Sequence, residues 1–179
     1  MAEQKEVLRD CLATIVPFGE QVVLPSGAMV DVVQALGGSV TVSYGGRLLR
    51  IKGEDADAVG LPPPERPDLP QTASPDAVER AVWEMLRTCY DPEIPIDMVE
   101  LGLIYDCQIQ PSQDHGYLVR ITMTLTAPGC GMGDVLADEV KTKLVTLPPV
   151  QEVDVVVSFD PPWSPERMSE AARLQSGLF

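Results

Sequence analysis

The chain has 179 residues, 45% of them apolar, so it can bury a core, and its length suits one ordinary domain or two small ones. Its 27 acidic against 13 basic residues leave a formal charge of -14, which excludes nucleic acid and membrane surfaces as partners, because phosphate backbones and anionic lipids select for Lys/Arg clusters. No stretch approaches the ~20 apolar residues that span a bilayer. The N-terminus carries acids and lacks the basic start and apolar run of a secretory signal. The four scattered cysteines suggest no disulfide-stapled scaffold, so a reducing cytoplasm is the expected compartment.

From the N-terminus, valine-rich segments at Gln21–Leu24, Met29–Gln34, Ser39–Tyr44 and Leu48–Ile51 alternate with turns at Pro25-Ser26-Gly27, Gly37-Gly38 and Gly45-Gly46. Residues 1–60 therefore read as a small all-β domain. The stretch LPPPERPDLPQTASP is dense in proline, which removes backbone donors and favours extended chain, so 61–74 reads as a linker.

Residues 75–179 follow a different pattern. Ser74 is placed to cap a helix with Pro75 at its first position, and Val78, Val82, Met85, Leu86 and Cys89 form its apolar stripe. The turn DPEIP ends it. Strands are expected at Leu103–Ile109 and Leu118–Thr126, joined as an antiparallel hairpin through PSQDHG. In the second strand Val119, Ile121, Met123 and Leu125 share one face, and Arg120, Thr122, Thr124 and Thr126 the other. A second helix runs from Met132 to near Leu147, with Met132, Leu136, Val140 and Leu144 on one face. A final strand at Val153–Phe159 needs a crossover and so lies parallel to the strand before the helix, with right-handed connection. The fold class is α+β: a small all-β N-terminal domain, then an α-β-β-α-β domain with a mixed sheet.

Among the cysteines, Cys89 lies on a helix stripe and Cys107 is in phase with a strand, so both read as core, while Cys11 sits in a segment of no clear phase. Cys130 differs. It stands between Gly129 and Gly131 in the loop leading from strand to helix, where unpaired helix N–H groups favour a thiolate and Asp134 opposes it. By position alone, a reactive thiol and a mere glycine turn are equally good readings. No CxxC or HExxH supports a preformed metal site, and His115, the one histidine, falls in the hairpin turn. Asp91, Glu93, Asp97 and Glu100 cluster among prolines, where paired carboxylates could do acid-base work or bind a hard metal, but Asp before Pro more often only initiates a turn, and by itself the structural reading is the better one. The spacing of Gly129, Gly131 and Gly133 fits neither known nucleotide-binding glycine pattern.

Taken together, DPEIPIDMVELGLIYD from Asp91, MTLTAPGCGMG from Met123 and VSFDPPW from Val157 resemble the SufT branch of the metal-sulfur cluster biosynthesis family. That family includes PaaD and the eukaryotic cytosolic iron-sulfur targeting subunit. QALGGSVTVSYGG, RIKGEDADAVG and the ending MSEAARLQSGLF resemble the extra segments of bacterial SufT proteins, so the likeness covers nearly the whole chain. It implies a factor, not an enzyme, that assembles or matures iron-sulfur proteins by carrying a cluster or recruiting clients to the assembly machinery. The family's reactive cysteine falls on Cys130, the implied metal ligand, and its DPE motif on Asp91 to Glu93. Thr124 and Thr126 lie just before that cysteine and are implied to line the same surface. Asp134 stands where many relatives have proline. One thiolate per chain supplies only part of a cluster's ligands, so if a labile cluster or iron is carried it is expected to be shared across a homodimer, and otherwise no cofactor is expected. The competing readings are a pure adaptor without a cluster and, less favoured, a thiol enzyme.

Overall fold

The computed structural model describes residues 3–129 and 131–177, and these fall into two compact units, one from 3–65 with 92–95 and the other from the described residues of 66–91 and 96–177.

The first unit is a six-stranded antiparallel sheet. Its strands are β1 Glu3–Glu6, β2 Cys11–Val16, β3 Gln21–Leu24, β4 Met29–Leu36, β5 Ser39–Tyr44 and β6 Arg47–Ile51, in the order β1-β4-β5-β6-β2-β3. Two Gly-Gly pairs make the hairpins: Leu36 pairs with Ser39 and Tyr44 with Arg47, leaving two-residue loops whose glycines all have positive φ. That is the backbone a tight turn between twisted strands demands. Val40 and Val42 from β5, Leu49 and Ile51 from β6, and Ala13 and Ile15 from β2 share the core face with Val7, Cys11, Leu24 and Val30. A short 3-10 helix, Gly53–Val59, adds Ala56, Ala58 and Val59 to that core. The segment around Cys11, whose phase the sequence leaves undefined, is thus an interior strand. The polar β1 and the 3-10 helix lie outside the expected elements.

In the second unit, helix α1 (Pro75–Leu86) starts where the capping signal predicts, with the Ser74 hydroxyl accepting from the Ala77 N–H. It buries Val78, Ala81, Val82, Met85 and Leu86. The sheet has the order β7-β8-β9, with β7 (Ile104–Pro111) antiparallel and β9 (Val150–Val157) parallel to the central β8 (Tyr117–Met123). Helix α2 (Gly133–Leu144) connects β8 to β9 and buries Leu136, Val140 and Leu144. Val119, Ile121 and Met123 of β8 are all fully buried, each contributing on the order of 1.5–3 kcal/mol of burial free energy. A last helix, α3 (Glu170–Ser176), is capped by the Ser169 hydroxyl, which accepts from the Ala172 N–H. The architecture is the expected α+β, with a mixed sheet in the second unit.

Two boundaries differ from expectation in a way that matters. Strand β8 ends at Met123, so Thr124 and Thr126 lie beyond it, and β9 ends at Val157 rather than Phe159. The alternation of apolar and polar residues continues through 124–126, but the ladder to β9 stops at the pair Met123 and Val157. Pairing, not pattern, ends the strand.

Candidate functional site

Cys130 lies outside the described residues, so the site is built from what flanks it. On one side, the chain leaves β8 through Thr124, whose N–H donates to the Leu103 carbonyl at 2.8 Å. The Thr124 side chain is fully buried, and its hydroxyl oxygen has no hydrogen-bond partner among the described residues. Leaving a buried hydroxyl unpaired costs roughly 1–3 kcal/mol, and such groups are uncommon in folded proteins. Thr126, Ala127, Pro128 and Gly129 are exposed. On the other side, Met132 precedes α2, and Gly133 sits so close to Leu125 that an added Cβ would lie 2.9 Å from the Leu125 Cδ1. A glycine at 133 therefore lets the start of the helix rest against the strand end. Asp134 occupies the first turn of α2, where negative charge suits the helix dipole even as it opposes a nearby thiolate.

The acidic loop is closed at its base. Tyr90 and Asp97 form an isolated antiparallel bridge, and the Met98 N–H donates to the Cys89 carbonyl at 2.8 Å. Within this excursion Asp91 is half-buried and Glu93 exposed. Asp91 belongs with Thr124 and Thr126 to the second unit, and Glu93 to the first. The chain then turns at Asp97, whose carboxylate accepts from the N–H groups of Val99 and Glu100 at 2.9 and 3.0 Å. Burial pushes the Asp97 carboxyl up from its ordinary value, and the two donors pull it back. Burial, and then the Asp97 charge, raise the Tyr90 phenol. Asp97 thus serves the turn. This turn delivers Leu103 to Thr124, which is how residues following the DPE motif meet the strand end before Cys130.

The remaining thiols are poor candidates. Cys11 and Cys89 are buried. Cys107 is half-buried, and desolvation, followed by the charges of Glu79 and Asp106, pushes its pKa up to about 11. At pH 8 its thiolate fraction is on the order of a hundredfold below that of an ordinary thiol. Brief alkylation with iodoacetamide, read by peptide mass spectrometry, should accordingly leave Cys107 unmodified while an accessible thiol reacts to completion; equal labelling would contradict this environment. His115 is exposed in the β7–β8 turn with φ 59°, a loop residue as its sequence context suggests. Among the described residues no group of three His, Cys, Asp or Glu side chains is arranged to hold a metal ion, and no helix is long and apolar enough to cross a membrane.

Sequence reasoning passed over Gly102, Tyr105, Trp163 and Arg167. The Trp163 indole N–H donates to the Leu101 carbonyl at 2.8 Å, the Tyr105 hydroxyl donates to the Pro161 carbonyl at 2.8 Å, and the Arg167 guanidinium lies 4.4 Å over the Tyr105 ring. The signal available for them was the glycine in VELGLIYD and the aromatic closing VSFDPPW.

Comparison with known proteins places this geometry. The sequence profile described as iron-sulfur cluster assembly protein matches residues 79–155. The Fe-S protein maturation auxiliary factor YitW of Bacillus subtilis is 37% identical over 103 residues, which are 58% of this chain and 97% of that protein. The Fe-S protein maturation auxiliary factor SufT of Staphylococcus aureus is 40% identical over 88 residues, 49% of this chain and 96% of that one. Among solved structures, a domain of unknown function from Bacillus anthracis superposes with a TM-score of 0.50 at 38% identity, covering 58% of this chain and 95% of that one.

Proposed function

The chain belongs to the iron-sulfur cluster assembly protein family, and from that premise we propose that it is a maturation factor that carries an iron-sulfur cluster, or iron for one, to client apoproteins. Cys130 is the ligand in this reading. Its thiol gives up a proton on binding iron, and the thiolate sulfur holds the cargo. With one such thiolate per chain the ligand set is completed by Cys130 of a second copy and by exchangeable ligands, which keeps the cargo labile and transferable. Asp91, Thr124 and Thr126, which share the second unit, flank the cargo. The acidic surface suits basic patches on the assembly machinery and on clients. The work is binding and transfer in the cytoplasm rather than turnover of a small substrate.

The observation that carries this reading is the buried Thr124 hydroxyl, which has no partner among the described residues, six residues before Cys130. A hydroxyl that costs stability in the free protein is explained if it donates to a sulfur or thiolate once cargo is bound. The test is Thr124→Val, which keeps the shape and removes the hydroxyl. The variant should be about 1 kcal/mol more stable in urea denaturation. After anaerobic reconstitution with iron and sulfide it should hold less iron than the native chain when challenged with a chelator. A destabilised variant that retains iron as well as the native chain would sink the assignment.

A further inference from the structure

The C-terminal segment after β9 is gripped by one turn. The carbonyl of Glu100 accepts from the Ser169 N–H at 2.9 Å, and that of Leu101 from the Trp163 indole at 2.8 Å. Gly102 has φ +69°, and its α-carbon faces the Arg167 backbone so closely that any Cβ there would collide with it. Tyr105, just beyond, holds the Pro161 carbonyl and carries the Arg167 guanidinium on its ring. Met168 and Ala172 of the same segment are buried.

These contacts close a ring around the end of β8. The segment leaves β9 with the Ser158 N–H donating to the Met123 carbonyl at 2.8 Å, and the turn it grips presents the Leu103 carbonyl to the Thr124 N–H at 2.8 Å. Met123 and Thr124 are therefore held from both sides: directly by the start of the segment, and through the turn by its middle.

We propose that residues 158–172 are a positioning strap, which immobilises the Asp97–Leu103 turn and thereby fixes the backbone at Thr124. The inference rests on the reading of Thr124 as a residue of the cargo site. The direction of a buried hydroxyl is set by its backbone, so a loosened strap blurs the site while leaving the core of α1, α2 and β8 intact. Each hydrogen bond involved is individually modest, and local opening of such a segment is governed by a few of them together.

The experiment is amide hydrogen exchange on the full chain, comparing native protein with Trp163→Phe, which removes the indole donor and keeps an aromatic ring, and with Gly102→Ala. In both variants the Ser169, Leu103 and Thr124 amides should exchange about tenfold faster or more, while the Val82 and Val140 amides in α1 and α2 stay unchanged. Iron retained after reconstitution should fall in parallel. Faster exchange at Ser169 with unaltered protection at Thr124 overturns the strap. If Gly102→Ala speeds exchange at Val82 as well, it has unfolded the unit, and Trp163→Phe decides alone. The exchange is read without cargo, so failure of the cargo reading, seen as full iron retention in Cys130→Ala, is distinguishable from failure of the strap.

Discussion

Cells that lack this protein and receive Cys130→Ala will not recover the activity of an iron-sulfur dehydratase, whereas the native chain at equal abundance will restore it. Alanine cannot form the sulfur–iron bond, and no second thiol replaces it: Cys11 and Cys89 are buried and Cys107 is held protonated. The loss should be near complete, because in the proposed shared site the substitution removes the thiolate of both copies at once. Cys130→Ser, with a hydroxyl that remains protonated near neutral pH, should behave similarly. Full rescue by Cys130→Ala would instead make the protein an adaptor whose surfaces, not its thiol, serve maturation.

The second large effect is on stability. Lys143 and Glu139 pair at 3.0 Å one turn apart on α2, with only 12% of each side chain exposed. The Lys143 Nζ also donates to the Thr88 carbonyl at 2.6 Å and contacts the Thr88 hydroxyl at 3.3 Å, tying α2 to the chain that follows α1. Lys143→Met should lower the unfolding free energy by about 3 kcal/mol, because it breaks a largely desolvated ion pair and the bond to the Thr88 carbonyl together. That is a sizeable part of the ~5–15 kcal/mol that stabilises a typical domain. The double variant Glu139→Leu with Lys143→Met should recover most of the loss, since it removes both charges of the pair together. Chemical denaturation of the three proteins decides it; a loss under about 1 kcal/mol in the single variant would mean that the pair behaves as a surface contact.

Local pattern made several elements legible. Ser74 and Pro75 mark the start of α1, and the alternation in β8 shows which side chains enter the core, because capping and side-chain periodicity are properties of a few neighbouring residues. Strand β2 was hidden for the opposite reason. Five of the six residues in Cys11–Val16 are buried, so the polar half of the alternation is missing. Strand β1, Glu3–Glu6, is polar throughout and forms through its pairing with β4. Thr124 and Thr126 were legible as neighbours of Cys130 but not as residues beyond the strand, since the end of a ladder depends on where its partners stop.

By itself the sequence determined the order and type of the main elements, the family, and the cysteine on which the proposed chemistry turns. Each of these is written in residues close together in the chain. Only the tertiary structure decided that the Thr124 hydroxyl is buried without a partner among the described residues, that Lys143 reaches Thr88, and that the Asp97–Leu103 turn is gripped by the C-terminal segment. Those contacts join residues 55 to 69 positions apart in the cases of Lys143 with Thr88, Leu101 with Trp163 and Glu100 with Ser169. Hydrogen bonds and burial at that separation exist only once the sheet and helices have brought the partners together, so no local pattern encodes them.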